Sequence, residues 1–246
     1  MKTPSFLQRL SVRESPSGRP VMRQRWSNLL FLHWPISADL IRSRLPKGLH
    51  VDLFDGMAWI GIVPFSMERV HPVGLPPLPW ISWFLELNVR TYVHDNSGRP
   101  GVWFFSLDCN QPIAVEVARR FFHLPYNHAR MSAEFQDGEI LYSSQRKGSA
   151  TPSRFRYRTP NQAQPARDRS LEWFLVERYL LFTSDRAGRI RCGQVHHKPY
   201  RIQQADCTEW TAEPIRENEF AGPGGPPVSM LVAEPVDVKI YPLELG

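Results

Sequence analysis

Residues 80–131 read WISWFLELNVRTYVHDNSGRPGVWFFSLDCNQPIAVEVARRFFHLPYNHARM, and the organisation of the chain can be worked outward from them. Two apolar, aromatic-rich segments, 82–93 and 101–107, are each long enough for a strand and flank the turn from His94 to Gly101. A helical stretch from Ile113 to Phe122 follows and runs into His123-Leu124-Pro125-Tyr126-Asn127-His128-Ala129-Arg130. In the first segment, alternation puts Phe84, Glu86, Asn88 and Arg90 on one face and Leu85, Leu87 and Val89 on the other. The apolar set is the natural core face. The polar set fits either the wet side of an antiparallel sheet or the wall of a polar cavity, and pattern alone leaves both open.

Toward the N-terminus, Trp26 to Trp34 reads as a strand stopped by Pro35, and Ser37 caps a short helix over 38–44. Leu49 to Phe54 and Met57 to Phe65 flank Asp55-Gly56, a hairpin signal. The proline-rich segment 72–79 is a stiff connection. Toward the C-terminus a meander of modest strands is expected over 129–134, 139–144 and 153–158, then a helix capped by Ser170. Further strands are expected over 179–182, 189–200, 207–212, 230–233 and 236–242. The pattern predicts a mainly β chain: residues 1–25 as a flexible N-terminal extension, then a single β domain over 26–246.

Composition narrows the function classes. Hydrophobic content of 42% and aromatic content of 12% suffice for a sizeable core. The 23 prolines lie mostly at the edges of apolar runs, which suits many strand ends better than long helices. The net charge of +6 is concentrated in residues 1–26, where six basic residues face Glu14 alone. The remainder is close to neutral, so nothing points to a nucleic-acid partner. No apolar run is long enough to span a membrane, and no secretory apolar core opens the chain. Cys109, Cys192 and Cys207 are odd in number and far apart, which gives neither a disulfide framework nor a zinc site, and the expected setting is reducing and cytoplasmic.

The chain carries no GxSxG, HExxH, dinucleotide-binding or phosphate-loop signature. His123 and His128 lie five residues apart across Pro125, and His196-His197 point to opposite faces of any strand, so neither pair makes a metal site. No metal and no cofactor is expected. The five lysines, Lys2, Lys47, Lys147, Lys198 and Lys239, all lie outside the central stretch, which leaves Schiff-base chemistry few places to occur.

Several segments together resemble a known family. Ile41 to Asp52, with its Leu45-Pro46-Lys47-Gly48-Leu49 core, is similar to the element that opens the acetoacetate decarboxylase-like superfamily. Segments 55–65, 86–93, 101–108, 124–131 and 195–199 resemble its YqjF-like branch, a domain of unknown function. The resemblance covers most of 26–242. It implies a cone or double-layer β-sandwich around a central cavity, with a few helices outside, and it tips the Glu86 face toward the cavity reading. In the decarboxylase the turn after the helix carries two lysines, the first forming the Schiff base and the second lowering its pKa. Here that turn reads Pro125-Tyr126-Asn127, so a Schiff-base decarboxylase is not expected.

Two readings remain at this point. In the first, the chain binds a small, partly apolar metabolite or keto acid without covalent chemistry. In the second, it is a lyase or hydratase acting on a keto acid, with Glu86 as acid/base and Tyr126 and Asn127 polarising a carbonyl. The candidate catalytic residues are Glu86 and Tyr126, and the candidate ligand contacts are Asn88, Arg90, Trp103, Asn127, His128, Arg130 and His196. A small-molecule ligand is the expected partner, and the resemblance adds homo-oligomerisation. An ionisable Glu86 near neutrality would favour the second reading, and a Glu86 tied to Arg90 or Arg130 in an aromatic pocket the first.

Overall fold

The computed structural model describes residues 3–245. In chain order its elements begin with helix α1 (Phe6–Ser11), strands β1 (Met22–Ser27) and β2 (Leu29–Ile36), and helix α2 (Ala38–Arg42). Strands β3 (Leu49–Val51), β4 (Ala58–Pro72), β5 (Phe84–Asp95) and β6 (Pro100–Cys109) lead to helix α3 (Pro112–Phe121). Next come β7 (Tyr126–Gln136), β8 (Glu139–Arg146), β9 (Ser153–Arg158), the two-residue β10 (Gln164–Pro165) and helix α4 (Leu171–Val176). The chain closes with β11 (Leu180–Ser184), β12 (Ile190–His196), β13 (Arg201–Gln204), β14 (Cys207–Glu209), helix α5 (Glu213–Arg216), β15 (Ser229–Ala233), β16 (Val236–Ile240) and β17 (Glu244–Leu245). The protein is mainly β with a few short helices, as the spacing of apolar runs and prolines predicts.

The long strands β4 and β5 form the spine, paired antiparallel from Ile60↔Thr91 to Met67↔Phe84. On one side β2 pairs with β4, and β15 with β2. On the other, β6 pairs with β5 across a turn in which the Asp95 carboxylate accepts the Ser97 and Arg99 backbone N–H groups. Helix α3 then makes a crossover, and β7 returns parallel to β6 with Leu107↔Tyr126. Strand β11 also runs parallel to β6, with Leu181↔Val102. Gly101 permits that approach, because a Cβ there would lie 2.6 Å from the Leu180 carbonyl oxygen.

Strand β7 belongs to two layers. Its first three residues extend the β6 sheet, and Ala129 to Gln136 pair with β8, which pairs with β9. This outer layer packs Ile140, Tyr142, Phe155 and Tyr157 against Leu87 and Val89 of β5 and Ile60 and Ile62 of β4. One face of β5 is therefore buried in a dry interface between layers. Its other face looks inward to where the first sheet curls on itself.

Three expectations need correction. The strand expected over 26–34 is two strands, broken at Asn28 (φ 53°), and the first starts at Met22, inside the segment read as a loose extension. The hairpin at Asp55-Gly56 shrinks to one bridge, Phe54↔Met57, while β3 pairs with β5 instead. A hydrogen bond from Asp52 N to the Tyr92 carbonyl at 2.9 Å holds the chain there. Finally, the described part of the N-terminal arm is docked. Ser5 and Gln8 form a capping box for α1, Phe6 packs on Trp173 at 5.6 Å, and both Arg9 terminal nitrogens donate to Asp52 at 2.6 Å. A helix of one and a half turns has little stability of its own, and these contacts hold it. Their partners are distant in sequence, which is why a local reading misses them. Residues 1 and 2 of the arm lie outside the described residues.

Candidate functional site

The inward face of β5 presents Glu86, Asn88 and Arg90 in sequence, spaced by the two-residue strand repeat. Opposite Val89 and Arg90, β6 carries a bulge that leaves Phe105 unpaired. The extra residue resets the alternation, so Val102 and Phe104 face inward before it and Leu107 after it. Phe105 itself turns outward onto Phe220 at 4.8 Å. Helix α3, capped by the Gln111 side chain, contributes Ala114, Val117 and Ala118 to the wall. Together with Phe31, Phe65 and Tyr200 these residues enclose a cavity of about 310 Å³.

At the α3 end, the Tyr126 hydroxyl donates to Glu86 Oε2 at 2.5 Å. The two residues sit on strands separated by β6, about two strand spacings or ~9.5 Å, and the phenol spans the gap. Both side chains are buried. Burial pushes the Glu86 carboxyl up to about 7, with hydrogen bonds from Tyr126 and Asn88 holding it back, and no cation contributes. Burial and the neighbouring carboxylate raise the Tyr126 phenol well above its ordinary value, so it stays a donor.

The α4 end is different. Arg178, at the junction of α4 and β11, donates to Asp52 at 2.7 Å and to the Phe174 carbonyl at 2.7 Å. Burial works to raise the Asp52 carboxyl, but Arg178 and Arg9 outweigh it and hold it below the usual carboxylate range. Burial lowers the Arg178 guanidinium to about 10. Arg90 donates Nη2 to the Leu175 carbonyl at 3.0 Å and lies over the Phe31 ring at 5.4 Å.

Four of the residues singled out from sequence thus meet in one cavity: Glu86, Asn88, Arg90 and Tyr126. The other five do not line it. Trp103 lies between Val102 and Phe104 on β6, so its side chain points the other way, toward Leu180 and Phe182. Asn127 adjoins Tyr126 on its strand and faces Asp108 on the outer side. His128 sits 3.6 Å from Glu116, and Arg130 is exposed, because β7 leaves the first sheet directly after its third residue. His196 turns to the Arg13 carbonyl at 3.2 Å. Sequence reasoning missed Arg178, although an arginine inside the apolar run Leu171 to Phe182 is a readable sign of a buried charge. None of the described lysines lines the cavity, and among the described residues no group of three or more His, Cys, Asp or Glu is placed to hold a metal. No helix among them is long and apolar enough to cross a membrane.

This mainly β fold is similar to that of acetoacetate decarboxylase-like proteins. The chain superimposes on acetoacetate decarboxylase from Legionella pneumophila with a TM-score of 0.64, covering 94% of this chain and 91% of that one at 12% identity. It superimposes on the enduracididine biosynthesis enzyme MppR, complexed with pyruvate, with a TM-score of 0.62, covering 94% and 92% at 11% identity. Within that fold, residues 23–237 match DUF2071, a family described as an uncharacterized conserved protein, and this chain belongs to it. The uncharacterized protein YqjF of Bacillus subtilis (strain 168) is 39% identical over 192 residues, 78% of each chain.

Proposed function

We propose that the cavity binds a small, partly apolar oxo acid and that Glu86 moves a proton on it, a lyase- or hydratase-type step without a Schiff base. The observation that carries this is the Glu86–Tyr126 pair: a carboxyl pushed to about 7, facing a hollow, with a phenol and no cation beside it. A group half-protonated near neutrality can both take a proton from a carbon beside a carbonyl and return it. Tyr126 gives its single O–H to Glu86; turned from Glu86 to the substrate, the same O–H can polarise the carbonyl oxygen that gains charge as the proton leaves. Asn127 has no part in this, since it faces the other way. MppR, a structural neighbour, holds pyruvate, which shares the carboxylate and the oxo group of this class but not their separation.

The test is proton exchange in heavy water, followed by NMR, over oxo acids with the carbonyl at successive positions. Glu86-dependent deuterium uptake beside the carbonyl is expected, lost in Glu86→Gln. Uptake that survives Glu86→Gln, or none with any acid that binds, removes the catalytic reading. Binding without exchange would instead favour the non-covalent reading, for which the aromatic walls Phe31, Phe65 and Phe104 speak.

A further inference from the structure

The α4 end of the cavity holds more positive charge than its carboxylate offsets. Arg9 and Arg178 both spend their pairing on Asp52. Arg90 has no ion-pair partner among the described residues, and its Nε is buried with no acceptor. Nη2 of Arg178 is buried without an acceptor as well. The two guanidiniums lie 5.8 and 4.9 Å from the centre of the Tyr92 ring. His33, at 2.7 Å from the Tyr92 hydroxyl, is kept neutral by burial and by Arg90 and supplies no counter-charge. Aromatic faces offset part of such an excess, and buried donors without acceptors call for an anion. Between this end and Glu86 the wall is apolar through Val63, Phe65, Phe104 and Leu107, broken by Asn88, whose Oδ1 is buried with no partner.

We infer that the occupant is an amphiphilic monocarboxylate, its carboxylate between Arg90 and Arg178 and its chain running along the apolar wall to the Glu86–Tyr126 pair. This rests on the cavity being the ligand site. The new element is polarity and reach. Groups four residues apart on a strand are separated by ~13 Å along the backbone, so an acid of roughly five to eight carbons reaches from one to the other. A 2-oxo acid, with its carbonyl next to the carboxylate, engages one end only. The fit is to an acid whose oxo group lies several carbons from the carboxylate.

Calorimetry with the full chain tests this, using pentanoate, hexanoate, heptanoate and octanoate, each against its primary amide. The acid is expected to bind roughly 10–100-fold tighter than its amide, the worth of a charge-assisted pair, with affinity rising along the series until the hollow is full. Arg90→Met is expected to erase the preference and leave the amide unchanged. The wild-type comparison of acid with amide stands even where that variant fails to fold. Equal binding of acids and amides, no binding of any acid, or a preference that survives Arg90→Met overturns the inference. An Arg90-dependent acid preference without deuterium exchange leaves it standing and removes only the proton-transfer reading. Exchange without an acid preference does the reverse.

Discussion

Two buried acids, Glu86 in the cavity wall and Asp52 behind the wall residue Arg178, have opposite surroundings. Asp52 receives two arginines and stays ionised below the usual carboxylate range. Glu86 receives a phenol and an amide and is pushed to about 7. Burial acts on both in the same direction, so the difference lies in what each strand brings within reach. Asp52 follows β3, where α1 and the α4–β11 junction converge. Glu86 faces β7 at its first residue, where only Tyr126 extends inward. A carboxylate with cations is a fastening, and one without them is a proton store.

The largest test of that contrast is Asp52→Asn. It strips the buried Arg178 and the part-buried Arg9 of their counter-charge and is expected to cost about 3–5 kcal/mol, read from urea unfolding. Glu86→Gln is expected to act in the opposite direction, and only at high pH. The folded-state pKa is raised from 4.5 to about 7, so the stability Glu86 contributes is whole below its unfolded pKa and is lost as pH climbs through the folded one. The variant should therefore gain up to about 3 kcal/mol over wild type at about pH 9 and almost nothing at about pH 4.5. A gain independent of pH would mean that Glu86 is not held protonated.

Tyr126→Phe comes next. Removing the donor is expected to cost about 1 kcal/mol and to move the Glu86 titration upward, which carbon-13 NMR of the carboxyl reads directly. An unmoved titration would separate the two residues. The smallest effect is Ser5→Ala, which breaks the α1 capping box for about 0.5–1 kcal/mol. It should appear as faster amide exchange confined to α1, since the helix is also held by Arg9.

Much of the fold was legible because it rests on local pattern. The alternation over 82–93, the turn at Asp95 and the helix after Pro112 all declare themselves within a dozen residues. The same two-residue period put Glu86, Asn88 and Arg90 on one face, but it was the family resemblance that turned that face toward a cavity. The bulge at Phe105 was not legible, because it depends on how β6 meets β5, and it is what turns Trp103 away and Phe104 inward. The departure of β7 after His128 was equally hidden, and it removed His128 and Arg130 from the site. Arg178 and the docking of Arg9 depend on pairings across 126 and 43 residues, which no local period encodes.

The strand that carries Tyr126 has one further consequence. Its opening residues hydrogen-bond to one sheet and its remaining length to another, with no hinge between, so the two layers are geared together through it. Tyr126 therefore stands at a seam: its backbone belongs to the inner sheet, and the strand it opens continues as the edge of the outer meander. The phenol that holds the Glu86 carboxyl's pKa down is thus anchored by a strand that both layers share.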